Sequence, residues 1–174
     1  MTWREGMTGV VLLALGLQLA RDMLALQRWS PGLFRGGPVV LRARRLLSKM
    51  PEDIPTPALR TGAMYKAQYR ALASHEVAFT AQTFNAPCLL GRLILKPEEG
   101  ALAMVGRLHW SFYAMFFVGF ALIGFPWPVF AFMAVMFGVN YVWEVRTFHR
   151  VLRVVGDQIE QGNTGQGPGV ERGA

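Results

Sequence analysis

Acidic side chains, cysteine and charge in general are scarce in this chain. Eleven Asp and Glu face 18 Lys and Arg, so the formal net charge is +7. Charged residues make up 17% of the sequence, against about 25% in an ordinary soluble domain. The single cysteine, Cys88, excludes an internal disulfide framework and a cysteine-based zinc site, and it reads as a buried structural thiol. The three histidines, His75, His109 and His149, lie too far apart in sequence to form a helical ligand pair, so no metal site is expected. No glycine-rich phosphate loop or dinucleotide fingerprint occurs, and no cofactor is expected. Asp22, Asp53 and Asp157 are the only aspartates. Ser74, His75 and Glu76 have the residue types of a catalytic triad, but neighbours on a strand point to opposite faces.

The missing charge is concentrated in two windows. From Trp110 to Trp143 there are 34 consecutive uncharged residues. One helix of that length would be about 51 Å long, well beyond the roughly 30 Å of a bilayer's hydrocarbon core. In the middle, Pro126 and Pro128 each lack an N–H and push Phe125 and Trp127 out of the α region. The spacing predicts a transmembrane helical hairpin over 109–143 with its tip at 125–128, Pro128 opening the second arm and Trp127 at an interface. A re-entrant hairpin and a buried soluble one are the rivals. Asn140 is read as glue between helices, and Ala134 and Gly138 as a close-packing face. The second window, Gly6 to Ala20, holds 15 uncharged residues. It could serve as the core of a signal peptide. Leu19 and Gln18 before Ala20, the cancelling Arg4 and Glu5, and the basic flank that follows all argue instead for a retained transmembrane helix within residues 1–29. Arg21 and Asp22 then stand as a boundary pair at its end.

Basic residues orient these segments. Arg21, Arg28, Arg35, Arg42, Arg44, Arg45 and Lys49 follow the first helix; Arg107 precedes the hairpin; Arg146, Arg150 and Arg153 follow it. All fall on one side if the N-terminus is outside, the chain crosses three times, and residues 30–107 and the C-terminal tail are cytoplasmic. Arginine outnumbers lysine 15 to 3, and with abundant Ala and Gly this suggests a GC-rich bacterial genome and hence a bacterial inner membrane. The basic excess is thus explained by topology, and nucleic acid is not expected as a partner.

Between the membrane segments, Pro38 to Pro51 is bracketed by prolines. At helical spacing Val39, Val40, Ala43, Leu46, Leu47 and Met50 share one arc and Arg42, Arg44, Arg45 and Lys49 the other, with Leu41 the one misfit. The expectation is a basic amphipathic helix on an anionic leaflet, followed by a Pro-rich linker to residue 57. Residues 58–108 are read as a cytoplasmic β module, within which the period becomes two from about residue 64 to 108. An antiparallel β meander of about four strands is predicted there, its last two strands joined through Lys96–Gly100. The triplet Gly-Arg-Leu occurs at 91–93 and again at 106–108, which is too short a match to establish a repeat. Residues 144–161 continue the last helix as an amphipathic segment with Val145, Phe148, Leu152, Val155 and Ile159 on one face. Residues 162–174 read as a disordered tail.

The expected fold is therefore membrane α+β: a transmembrane helix, a small cytoplasmic β meander and a helical hairpin extended by an amphipathic helix. The expected function is non-enzymatic. The β module and basic segment would bind anionic phospholipids at the bilayer surface, through Arg42, Arg44, Arg45 and Lys49, or a protein partner, including a second copy of the chain. The alternatives are a lipid-modifying enzyme using a polar cluster of Arg107, His109, Glu144 and His149, or an accessory subunit of a transporter.

Overall fold

The computed structural model describes residues 3–57, 60–61, 65–82, 89–124 and 126–162. Cys88, Phe125 and the tail beyond residue 162 lie outside the described residues. Helix α1 spans Trp3–Gln27 and ends in a tight turn where Trp29 takes a positive φ of 53° and its ring stacks on Phe34, 5.4 Å away. Pro31 opens the short helix α2, Pro31–Arg35. Six strands follow: β1 Val39–Leu46, β2 Arg60–Thr61, β3 Tyr65–Ala73, β4 Glu76–Gln82, β5 Leu89–Lys96 and β6 Ala101–Leu108. They form one antiparallel sheet in the order β1-β6-β5-β4-β3-β2. Helix α3, Trp110–Ile123, and helix α4, Trp127–Glu160, complete the chain.

The four-strand meander over residues 64–108 is present as β3 to β6. The β5–β6 connection is a single 3₁₀ turn, Pro97–Glu99, closed by Gly100 at φ 58° in the left-handed region. The amphipathic helix expected over 38–51 is a strand instead. Alternate residues of β1 point to opposite faces, with Leu41 and Ala43 packed on the core and Arg42 and Arg44 exposed. The competing force is pairing: as a strand, β1 forms an antiparallel ladder on the edge of β6, with a register shift between Val39 and Leu41, and places Leu41 and Ala43 on the core, which a helix on a separate surface would forgo.

The main core lies between one face of the sheet and the C-terminal half of α4. Phe148, Val151, Leu152, Val155 and Ile159 are buried there against Val77, Phe79, Leu93, Leu102 and Met104. Gly91 and Gly106 face each other across β5 and β6. A Cβ on Gly91 would sit inside the Phe79 ring, and one on Gly106 would press on Leu41 and Phe148. The two glycines thereby admit the two rings, whose centroids are 4.5 Å apart. On the opposite face, α2 and the end of α1 cover only part of the sheet, with Phe34 buried against Ala78 and Leu90.

Two helices, Gly6–Gln27 and Trp127–Glu160, are long and apolar enough to cross a membrane, and only 6% of the apolar window of each is buried inside the protein. That low burial separates them from core helices of a soluble domain. Large apolar side chains stand exposed along α1 (Val10, Leu13, Leu17, Leu24) and along the first half of α4 (Val129, Phe132, Val135, Val139). Helix α3 packs against α1. Its 14 residues extend about 21 Å, and Gly124 at φ 75° with Pro126 as the N-cap of α4 turns the chain back.

Candidate functional site

Strand register gathers arginines on the sheet face turned away from α4. Arg42 on β1 is opposite Val105 on β6, and Val105 is opposite Arg92 on β5. Arg107 lies two residues along β6 from Val105 and is opposite Leu90. Arg44 and Arg70 project from the same face by the same alternation. Glu76 on β4, opposite Ile94 on β5, is a carboxylate set among them, and Glu99 stands 3.9 Å from Arg44. Glu76 accepts from Arg92 and, at 2.5 Å, from Arg35 of α2. Burial raises the proton affinity of Glu76, but the two guanidinium groups outweigh it and hold the carboxyl below its ordinary range.

Arg107 donates to the Gly37 carbonyl. Burial, and then the nearby charges of Arg92 and Arg42, weaken its hold on its proton. The Nε groups of Arg92 and Arg107 are buried and have no hydrogen-bond partner among the described residues. Like charges held together with orphaned donors form an arrangement that a bound anion would relieve.

The residues expected to meet a lipid surface divide. Arg42 and Arg44 stay together on the open face. Arg45 points the other way, into ion pairs of 2.8 Å with both Asp157 and Glu160 of α4, and it also bonds the Arg153 carbonyl. Lys49 is exposed beyond the end of β1. The expected polar cluster divides as well. Arg107 faces away from α4, whereas Glu144 and His149 belong to α4. Glu144 is fully buried, accepts from the Leu89 N–H at 2.6 Å, and is bonded by Asn140 one helical turn earlier. His149 is exposed beside Arg45 and Arg153 on a groove of about 360 Å³.

His109, buried immediately before α3, lines a different cavity of about 320 Å³ between α1, α2 and the sheet. Gln18, Arg21 and Asp22 of α1 line its polar side, and Leu33, Leu90 and Leu108 its apolar side. The carboxylate of Asp22 is buried and accepts from Gln18 at 3.1 Å. Among the described residues, no group of three or more His, Cys, Asp or Glu is arranged to hold a metal ion.

Sequence reasoning missed Arg92, Arg35 and Glu76. A signal for Arg92 was present: the two Gly-Arg-Leu triplets lie on adjacent strands with their glycines opposite, so their arginines flank the glycine pair on the open face. Compared with known protein families, curated proteins and solved structures, the chain matches none.

Proposed function

We propose that this is a small integral membrane protein whose sheet module holds anionic phospholipid headgroups on its arginine face, without catalysing a reaction. The observation that carries the reading is the grouping of Arg42, Arg92 and Arg107 on one face of the sheet, with buried Nε donors on Arg92 and Arg107 and, of the three, only Arg92 paired with the Glu76 carboxylate. Arg107 stands three residues before Trp110, where α3 begins, so the cluster lies at the end of the sheet nearest the apolar helices. Each basic residue near an anionic leaflet contributes about 1 kcal/mol.

In this reading α1 and α4 cross the bilayer of a bacterial inner membrane and α3, at about 21 Å shorter than a full span, makes the third crossing together with the residues flanking its two ends, with the N-terminus outside and the sheet cytoplasmic. The exposed apolar belt supports it, because water is a poor solvent for so large a continuous apolar surface. The uncharged hairpin tip and the basic residues gathered on the sheet side support the orientation. A lipid-modifying enzyme is less favoured, since Arg107 and the α4 residues Glu144 and His149 lie on opposite sides of the sheet.

The test is lipid retention. The full chain, purified in mild detergent and exposed to a mixture of phosphatidylglycerol and phosphatidylcholine, should retain the anionic lipid preferentially. Arg42→Gln with Arg107→Gln should reduce that retention about tenfold or more, the loss of two interfacial charges. Arg42→Gln alone, at an exposed position, should give part of the loss without disturbing the fold. Equal retention of both lipids by the unaltered protein would sink the proposal.

A further inference from the structure

The cavity between α1, α2 and the sheet does not belong to the arginine face, and it carries a different chemistry. Its floor is buried: Asp22, Leu90 and His109. Its mouth is exposed, with Arg21 from α1 and Gly36 and Gly37 from the turn after α2. A volume of about 320 Å³ stands at the lower bound of the roughly 300–1,000 Å³ of small-molecule sites.

The order of charges along this cavity is informative. A carboxylate sits at the bottom and a guanidinium at the rim. Asp22 is only 8% exposed, yet its one hydrogen bond among the described residues comes from neutral Gln18 to Oδ1. His109 shares the cavity floor and feels the Asp22 charge, but no arginine or lysine among the described residues forms an ion pair with that carboxylate; Arg21, its neighbour in sequence, is exposed. A buried carboxylate with no lysine or arginine beside it is costly, and in folded proteins such groups are paired. Gln18, Asp22 and Ala25 occupy one stripe of α1, turned inward, while Leu13, Leu17 and Leu24 face outward. The polar stripe therefore opens inside the protein at the depth where the outer face of the same helix is still apolar.

We propose that this cavity takes the headgroup of an ammonium-bearing phospholipid: the ammonium binds Asp22 at the floor and the phosphate stays at the rim beside Arg21. A headgroup entering tip first presents its charges in that order, with its acyl chains left outside among the exposed leucines of α1. A primary ammonium brings three N–H donors, which suits Oδ2 of Asp22. The trimethylammonium of choline brings none and is bulkier. The proposal rests on the membrane placement proposed above, but it uses a site separate from Arg42, Arg92 and Arg107.

The experiment is native mass spectrometry of the full chain in mild detergent with phosphatidylethanolamine, phosphatidylcholine, phosphatidylglycerol or soluble O-phosphoethanolamine. Phosphatidylethanolamine should be retained about tenfold or more over phosphatidylcholine, the discrimination expected of hydrogen bonds to a charged group. Asp22→Asn should abolish that preference while leaving phosphatidylglycerol retention unchanged, which also reports that the variant is folded. Equal retention of the ethanolamine and choline lipids by the unaltered protein, or an undiminished preference in Asp22→Asn, would overturn the proposal. Binding of soluble O-phosphoethanolamine without retention of the lipid would overturn its assignment to a lipid. Release of the protein from membranes by alkaline wash is a separate result, and it would remove the membrane placement itself.

Discussion

Arg45 on the edge strand β1 and Asp157 on α4 are joined by an ion pair of 2.8 Å, and Gly156 is the residue that lets them meet. A Cβ at position 156 would fall 2.6 Å from the Arg45 Cδ. The same guanidinium reaches Glu160 and the Arg153 carbonyl, so one side chain ties the strand to the helix at three points. Arg45 is only about a quarter exposed and its proton is held more tightly than usual, chiefly through the Asp157 hydrogen bond. Arg45→Met is expected to destabilise the fold by about 1 kcal/mol, a value reduced from buried-pair magnitudes because Asp157 and Glu160 stay partly solvated. Thermal melting in detergent at low and high salt checks this; the loss should shrink as salt rises.

Gly91 and Phe79 supply a second prediction. Gly91→Ala puts a methyl group within 2.4 Å of the Phe79 ring and should destabilise by about 1–3 kcal/mol, the usual range for overpacking. Phe79→Leu, harmful by itself because it leaves a void, should cost much less in the Gly91→Ala background. A double-mutant cycle on melting free energies measures the coupling, and additive effects would contradict the contact.

Glu76 predicts an acid-sensitive sheet. Its carboxyl titrates below the ordinary glutamate value of 4.5 because Arg35 and Arg92 stabilise the charged form against the opposing effect of burial. A depressed carboxylate contributes stability that is complete above the unfolded value and is lost as pH falls through the folded one. The chain should therefore lose stability from about pH 4.5 downward, and Glu76→Gln should flatten that part of the profile while lowering stability at neutral pH. Denaturation followed across acidic pH in both proteins decides it.

Glu144 is expected to be a structural residue. Its Oε2 accepts from the Leu89 N–H at the start of β5. Glu144→Ala should leave that donor without its partner and cost about 1–3 kcal/mol, whereas Glu144→Gln should retain most of the stability because its amide oxygen can still accept. Melting of the two variants separates a positional role from a requirement for charge.

Sided labelling tests the crossing pattern. Cys88 is the only cysteine, so a Cys88→Ser background accepts single reporters. Trp127→Cys at the hairpin tip and Glu52→Cys beyond β1 should react from opposite sides of sealed vesicles. Reaction of both from one side would contradict a spanning hairpin.

Much of this architecture was legible locally. The prolines at 126 and 128 mark the reversal, the period of two marks β3 to β6, and the stripe Phe148, Leu152, Val155, Ile159 marks the buried face of α4. The failure at 38–51 has a specific cause. Its apolar positions satisfy a helical arc and an alternation about equally, and the choice is made by β6, which begins some 60 residues later. Leu41 was the discriminating residue: misplaced on a helix, it packs on the core as part of a strand. The arginine face was less legible still. Arg42, Arg92 and Arg107 are separated by long stretches of chain, and only strand register brings them together. The cavity needs the turn at Trp29 and α2 to fold back on Leu90, which no periodicity encodes.

Helix α4 runs through 34 residues from Trp127 to Glu160 with its exposed apolar half and its buried half in one rod. No joint separates what the surroundings grip from what the sheet grips. Under the membrane placement proposed above, a change of tilt at the Trp127 end would arrive at Phe148 as a lever arm's displacement, and a thicker or thinner bilayer would be felt as torque on the sheet.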